Sequence, residues 1–149
     1  MNPYQFSFEK LEVWQLARKL TCDIYKETQS FSTDEKYALV PQMRRAVVSI
    51  AANIAEGSTR QTAKDQAHFT TIAYGSLMEL FNFLVLASDL SYLSEDSLHR
   101  YRRQVQTLSI KLSNLKSSQL KRVNKLLFLT LMIFSPHIIR PLVALNNVM

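Results

Sequence analysis

An all-α chain, folded as an antiparallel up-down-up-down four-helix bundle, is predicted by three features of the sequence. Glycine and proline are scarce, at two and four copies in 149 residues. Apolar residues recur three and four apart over long stretches, while strand-like alternation is rare. Short connections join these stretches, and such connections make consecutive helices antiparallel neighbours. A chain of this length forms one domain with a substantial core.

The first helix is expected over residues 8–28, where Leu11, Trp14, Ala17, Leu20 and Ile24 share a face. After it, Ser32 followed by Glu35 reads as a capping box. The second spans residues 38–56, with Pro41 in its first turn and Gly57 as its C-terminal cap. The third, residues 63–90, carries two apolar stripes. Phe69, Ile72, Ser76, Leu77, Leu80, Leu84 and Ala87 make one, and Ala67, Tyr74, Met78, Phe81 and Val85 the other. Two stripes predict burial on more than one side. The fourth helix, residues 95–119, has a heptad seam of Leu98, Tyr101, Val105, Leu108, Leu112 and Leu115.

The chain thus divides into a bundle over residues 1–119 and a basic, apolar extension over 120–149. Charge divides at the same place. The body holds 14 Lys/Arg and all 12 acids, so most of the net charge of +6 belongs to Lys121, Arg122, Lys125 and Arg140. The pI of 9.6 is weak evidence for nucleic-acid binding by the body itself. In the extension, the apolar run 126–134 is too short to cross about 30 Å of hydrocarbon, and Pro136, His137 and Arg140 break the pattern beyond it. No membrane span is expected there. The start of the chain has no basic-then-apolar pattern, which makes a cytoplasmic protein the default.

Enzyme signatures are scarce. His68, His99 and His137 are scattered, so neither a metal site nor another cofactor is expected. Glu56 and Glu79 could meet across helices, but the Glu-x-x-His companions of a di-iron site are missing. Cys22, the single cysteine, lies among apolar neighbours and reads as a buried structural thiol.

The stretch "QMRRAVVSIAANIAEGSTR", residues 42–60, divides by angle at roughly 100° per residue. Met43, Ala46, Val47, Ile50 and Ile54 face the core. Val48, Ala51, Ala52 and Ala55 form a small-residue face that lets a neighbour approach closely. Arg45, Ser49, Asn53 and Glu56 fall on a narrow polar face between them. Buried polar groups need partners, so a hydrogen-bonded network is expected there. Two readings stay open for this face: a network that sets register or a subunit contact, or Arg44 and Arg45 presenting charge to a phosphate or a protein. Arg60 and Lys64, beside the next helix's N-terminus, are candidates for an RNA-phosphate contact. Solvated loop charges, or a local Glu56–Arg60 ion pair, are the alternative.

Four segments in order carry a family pattern: "FEKLEVWQLARKL…IY" at 8–25, "QMRRAVVSIAANIAEG" at 42–57, "FTTIAYGSLMEL" at 69–80 and "LVLASDLSYL" at 84–93. Over residues 6–118 the chain resembles the bacterial four-helix bundle proteins described as 23S rRNA intervening-sequence proteins. Arg44, Arg45, Ser49, Asn53, Glu56 and Gly57 match the family's central motif, and Gly75, Ser76 and Glu79 its third-helix motif. Ser91 stands where the family commonly has glycine. The resemblance implies a ring-like homopentamer without established enzymatic activity. It also implies RNA or a reverse-transcriptase-like protein as partner, since similar proteins are accessory subunits of diversity-generating retroelements. The extension beyond residue 119 lies outside the resemblance.

From the residues and the resemblance together, a non-enzymatic homo-oligomeric bundle that binds RNA or a nucleoprotein is expected. Arg44, Arg45, Arg60 and Lys64 are its candidate contacts. The alternative is an assembly scaffold that touches no nucleic acid.

Overall fold

The computed structural model describes residues 4–134. Four helices and two short 3-10 turns make up its regular structure, with no strand among the described residues. Helix α1 spans Glu12–Glu27, α2 Leu39–Ser58, α3 Ala63–Asp89 and α4 Glu95–Phe134. The all-α expectation holds. In contact, α1 meets α2 and α4, and α3 lies between α2 and α4.

The core is one cluster fed by all four helices. Ala17, Leu20 and Ile24 meet Met43, Val47 and Ile50, then Leu77, Leu80 and Leu84, then Tyr101, Leu108 and Leu112. The heptad seam on α4 is buried as its spacing predicts, with Leu115 packed at the edge. On α3 neither expected stripe is buried along its whole length. Leu77, Leu80, Leu84 and Ala87 are buried, but Ile72, Tyr74 and Met78 stay more than a third exposed. Ile72 belongs to the first expected stripe, and Tyr74 and Met78 to the second, of which Ala67 is buried, so each stripe is partly open in the single chain. On the small-residue face, Val48 and Ala52 are exposed and Ala51 and Ala55 half-buried.

Several boundaries differ from the sequence reading, each for a local reason. Residues Ser7–Lys10 form a 3-10 turn, and Leu11 breaks it from α1 with an extended ψ of 122°. Glu35 does not close a box with Ser32. Its carboxylate accepts from the Leu39 N–H at 3.0 Å, capping α2 from four residues upstream. Pro41 lies in the first turn of α2, where no intrahelical N–H is needed. Cys22 is exposed, not buried. The buried positions of α1 are Val13, Ala17, Leu20 and Ile24, and Cys22 falls on the opposite side of the helix. Helix α4 runs on past residue 119 to Phe134. No glycine or proline occurs between Glu95 and Phe134, and the next breaker is Pro136. Residues 135–149, with Pro136, His137 and Arg140, lie outside the described residues, as do the side chains of Lys125 and most of the apolar run.

Helix α3, and not the run near the C-terminus, is long and apolar enough to cross a membrane among the described residues. Its apolar stripe instead packs between α2 and α4.

Helix α3 ends in a left-handed cap. Ser91 has φ 63°, the Tyr92 N–H donates to the Ala87 carbonyl at 2.8 Å, and the Ser91 N–H to Ser88 at 2.9 Å. This pair of bonds is the Schellman pattern, which favours glycine at the left-handed position. Ser91→Gly is expected to stabilise the fold by about 1 kcal/mol, because a Cβ there is strained. Chemical denaturation measures it, and an unchanged midpoint would show that the serine is unstrained.

Candidate nucleic-acid interface

The polar face of α2 divides into separate groups. Ser49 Oγ lies 2.8 Å from Ser76 Oγ on α3, and Asn53 Nδ2 donates to the Ser49 carbonyl at 2.8 Å and its Oγ at 3.1 Å. These three residues form a half-buried hinge of hydrogen bonds between α2 and α3. Arg45 stands one turn away, 2.6 Å from Gln42 Oε1 and 3.6 Å from Glu79. Its side chain is 71% exposed, so the Glu79 pair contributes little to stability. Glu56 pairs with Arg60 instead of joining the hinge, so Glu56 and Glu79 do not meet. Ser49, Asn53 and Ser76 are brought together, while Arg45 and Glu56 go elsewhere.

Three of the four cations expected to contact nucleic acid have partners within the chain. Arg44 donates to Thr28 Oγ1 at 2.9 Å and lies 4.8 Å from the Tyr25 ring centroid. It lines an open cleft of about 540 Å³ with Thr28, Phe31, Tyr37 and Pro41. Arg60 stacks over Phe69 at 4.5 Å as well as pairing with Glu56. Lys64 is exposed on the first turn of α3. Thus Arg44 lies near the start of α2, and Arg60 and Lys64 near its end.

At that second end α2, α3, α4 and the N-terminal 3-10 turn with Leu11 line an open cavity of about 180 Å³. Ser7, Ser58, Gln66, Thr70, Gln119 and Arg122 supply its polar wall, and no carboxylate lines it. Gln119 is only 6% exposed, and its Oε1 accepts from Thr70 at 2.9 Å. Gln66 ties the wall to the α2–α3 connection by donating to the Arg60 carbonyl at 2.9 Å. Lys116 lines the neighbouring groove between α3 and α4, and Lys121 and Arg122 are exposed one turn further on. Helix α4 carries no acid after Asp96, so these cations have no carboxylate neighbours on their own helix. Of the acids at this end of α2 and α3, Glu56 holds Arg60, and the Asp65 carboxylate accepts from the hydroxyl of Thr62, the N-cap of α3. Thr70, Ser58 and Gln66 spend their donors within the chain, so the cations, Arg122 foremost, are what this end offers to phosphate oxygens.

Sequence reasoning singled out Arg60 and Lys64 at this end and counted Arg122 only in the charge of the extension, and it missed Gln66, Thr70 and Gln119. Thr70 and Gln119 are 49 residues apart, and no local pattern joins them. Gly57 also takes a different role. It lies inside α2 without a positive φ, and the helix ends at Ser58 with Thr59 as its cap. A Cβ at Gly57 would fall 2.8 Å from Phe69 Cβ, so the glycine permits close packing of α2 on α3. Gly75 is the reverse case, exposed with nothing within 4 Å of where a Cβ would stand. Among the described residues, no group of three or more His, Cys, Asp or Glu gathers as a metal site would require.

The model of the 23S rRNA-intervening sequence protein family matches residues 9–114. A search of curated proteins finds no match. Among solved structures, a protein of unknown function from the S23 ribosomal protein family of Bacteroides thetaiotaomicron shares the fold, with a TM-score of 0.53 at 17% identity. The similarity covers 74% of this chain and 97% of that one. The match spans α1, α2, α3 and half of α4, and on that basis the chain belongs to the 23S rRNA-intervening sequence protein family.

Proposed function

We propose that the chain is a non-enzymatic, homo-oligomeric four-helix bundle that binds RNA at the end where α2 stops and α3 begins. One observation carries this reading: the carboxylate-free cavity walled by Ser58, Gln66, Gln119 and Arg122, with Lys116 in the neighbouring groove and Lys64 and Lys121 exposed at the same end of α3 and α4. The up-down-up-down arrangement is supported by contacts that run in opposite directions along neighbouring helices. Thr21 and Thr28 reach Val47 and Arg44, Gly57 and Ser49 approach Phe69 and Ser76, and Thr70 and Phe81 meet Gln119 and Arg102.

Self-association is supported by the apolar side chains left half open, Val48, Ile72, Tyr74, Met78 and Leu86. A ring of copies, a pentamer by family resemblance, would repeat one modest basic patch and raise its avidity for a long RNA. A reverse-transcriptase-like protein bound to that RNA is the companion partner, and the cytoplasm is the proposed compartment. The competing reading is a scaffold without RNA contact. It is favoured by the pairing of Arg44, Arg45 and Arg60 within the chain.

Light scattering and fluorescence anisotropy on the full chain decide between them. The proposal expects a stable oligomer that binds labelled RNA at low salt and releases it as salt rises. An oligomer that binds no RNA at low salt would leave the scaffold, and a monomer would remove both.

A further inference from the structure

We infer that the N-terminal aromatic run is a stacking platform for unpaired bases, so that the RNA bound is single-stranded; this rests on the RNA reading above. Tyr4, Phe6, Phe8 and Trp14 form one continuous series of rings. Successive centroids lie 5.1, 6.0 and 5.0 Å apart. The inner end is anchored, because Trp14 packs against the core. The outer end is open, with Tyr4 83% and Phe6 58% exposed.

The run is fixed to the body by specific bonds. The Phe6 N–H donates to the Glu9 carboxylate at 2.6 Å, and Gln15 Nε2 donates to the Glu9 carbonyl at 2.9 Å. Cations border it. Lys10 lies in the same turn, and the Arg18 guanidinium sits 5.8 Å from the Trp14 ring centroid. Ser7, between Phe6 and Phe8, lines the cavity that Arg122 also lines, so the rings adjoin the basic end. The nearby acids are engaged: Glu9 by the Phe6 N–H and Glu12 by Lys111 at 2.8 Å. Exposed rings beside cations match single-strand recognition, where bases stack on aromatics and cations track the backbone.

Ring orientation selects the strand state. Tyr4 and Phe6 stand at 89° to each other, so bases lying flat on both are splayed, whereas duplex neighbours are parallel. Phe6 and Phe8 are nearly parallel at 6.0 Å, which leaves no room for a base between them, since two stacking contacts need about 7 Å. Bases therefore stack on the open outer surfaces.

Trp14 is the only tryptophan and reports directly on the platform. The full chain is titrated with a short single-stranded RNA and with a duplex of the same sequence, monitoring Trp14 fluorescence and anisotropy. The single strand is expected to bind more tightly and to change the Trp14 emission. The double variant Tyr4→Ala, Phe6→Ala removes only exposed rings. It is expected to lose roughly tenfold or more in affinity while keeping the salt dependence, because no phosphate contact is lost. Equal binding of duplex and single strand, or a double variant that binds like the parent, overturns the inference and leaves the RNA reading standing. A variant that changes oligomer mass but not RNA affinity overturns it too, by assigning the rings to a second copy. No RNA bound in either form removes the RNA reading itself.

Discussion

Replacing Tyr101 by alanine is expected to lower folding stability by about 4 kcal/mol, the usual cost of removing a buried aromatic ring. Tyr101 is 1% exposed and stands where α4 crosses the end of α1. Its ring fills the core, and its hydroxyl donates toward the Asp23 carbonyl at 3.2 Å and Glu27 Oε2 at 3.0 Å. Arg100 completes the group, donating to the same Glu27 oxygen at 2.8 Å. Tyr101→Phe keeps the ring and should cost only about 1 kcal/mol, the net worth of one hydrogen bond. The residue also sets an alkaline limit. Burial, with help from the Glu27 charge, pushes its pKa up to about 12 from 10.0. A raised folded pKa means that this stability is complete below pH 10 and lost as pH rises toward 12. Denaturant midpoints measured across that window should fall for the parent and fall less for Tyr101→Phe. Equal slopes would show that the phenol does not titrate differently in the folded state.

The second large effect concerns the two glycines, which resemble each other in sequence and differ in surroundings. Gly57→Val is expected to cost about 3 kcal/mol, because Phe69 Cβ is fixed to its own backbone and cannot swing away. Helix α2 must then move off α3. Gly75→Ala meets open space and should raise stability by about 1 kcal/mol through helix propensity alone. Thermal unfolding of the two variants side by side tests the pair. A neutral Gly57→Val would mean that the α2–α3 contact is looser than the geometry states.

Much of the fold is legible in the sequence, because helical spacing and core burial are the same fact seen twice. The seam of α4 and the core face of α2 can be read residue by residue. Boundaries are less legible. The roles of Leu11 and Gly57 depend on packing partners outside their own segments, so local patterns misplace them. Apolar neighbours in sequence suggest a buried Cys22, while helical angle decides its exposure. The second stripe of α3 reads as buried, yet Tyr74 and Met78 remain partly open in the single chain. For the candidate site, the cations are visible in the sequence but their employment is not. Nothing local tells that Arg60 is held by Glu56 and Phe69, or that Gln119 closes a cavity with Thr70. Long-range polar contacts of that kind leave no periodic trace.

The proposed RNA contact lies at the end of the bundle that α4 shares with the α2–α3 connection. The polar hinge of Ser49, Asn53 and Ser76 fixes α2 against α3, and Gly57 brings the helices together just before that end. Arg122 lines the cavity there from α4, and Lys64 is exposed on the first turn of α3 at the same end. The most direct test is the salt dependence of binding to labelled single-stranded RNA, compared between the parent chain and the double variant Lys64→Ala, Arg122→Ala. If both side chains meet phosphates, binding weakens and the slope of log affinity against log salt becomes shallower by about 1.4. Identical affinity and slope for the two proteins would contradict an RNA interface at this end.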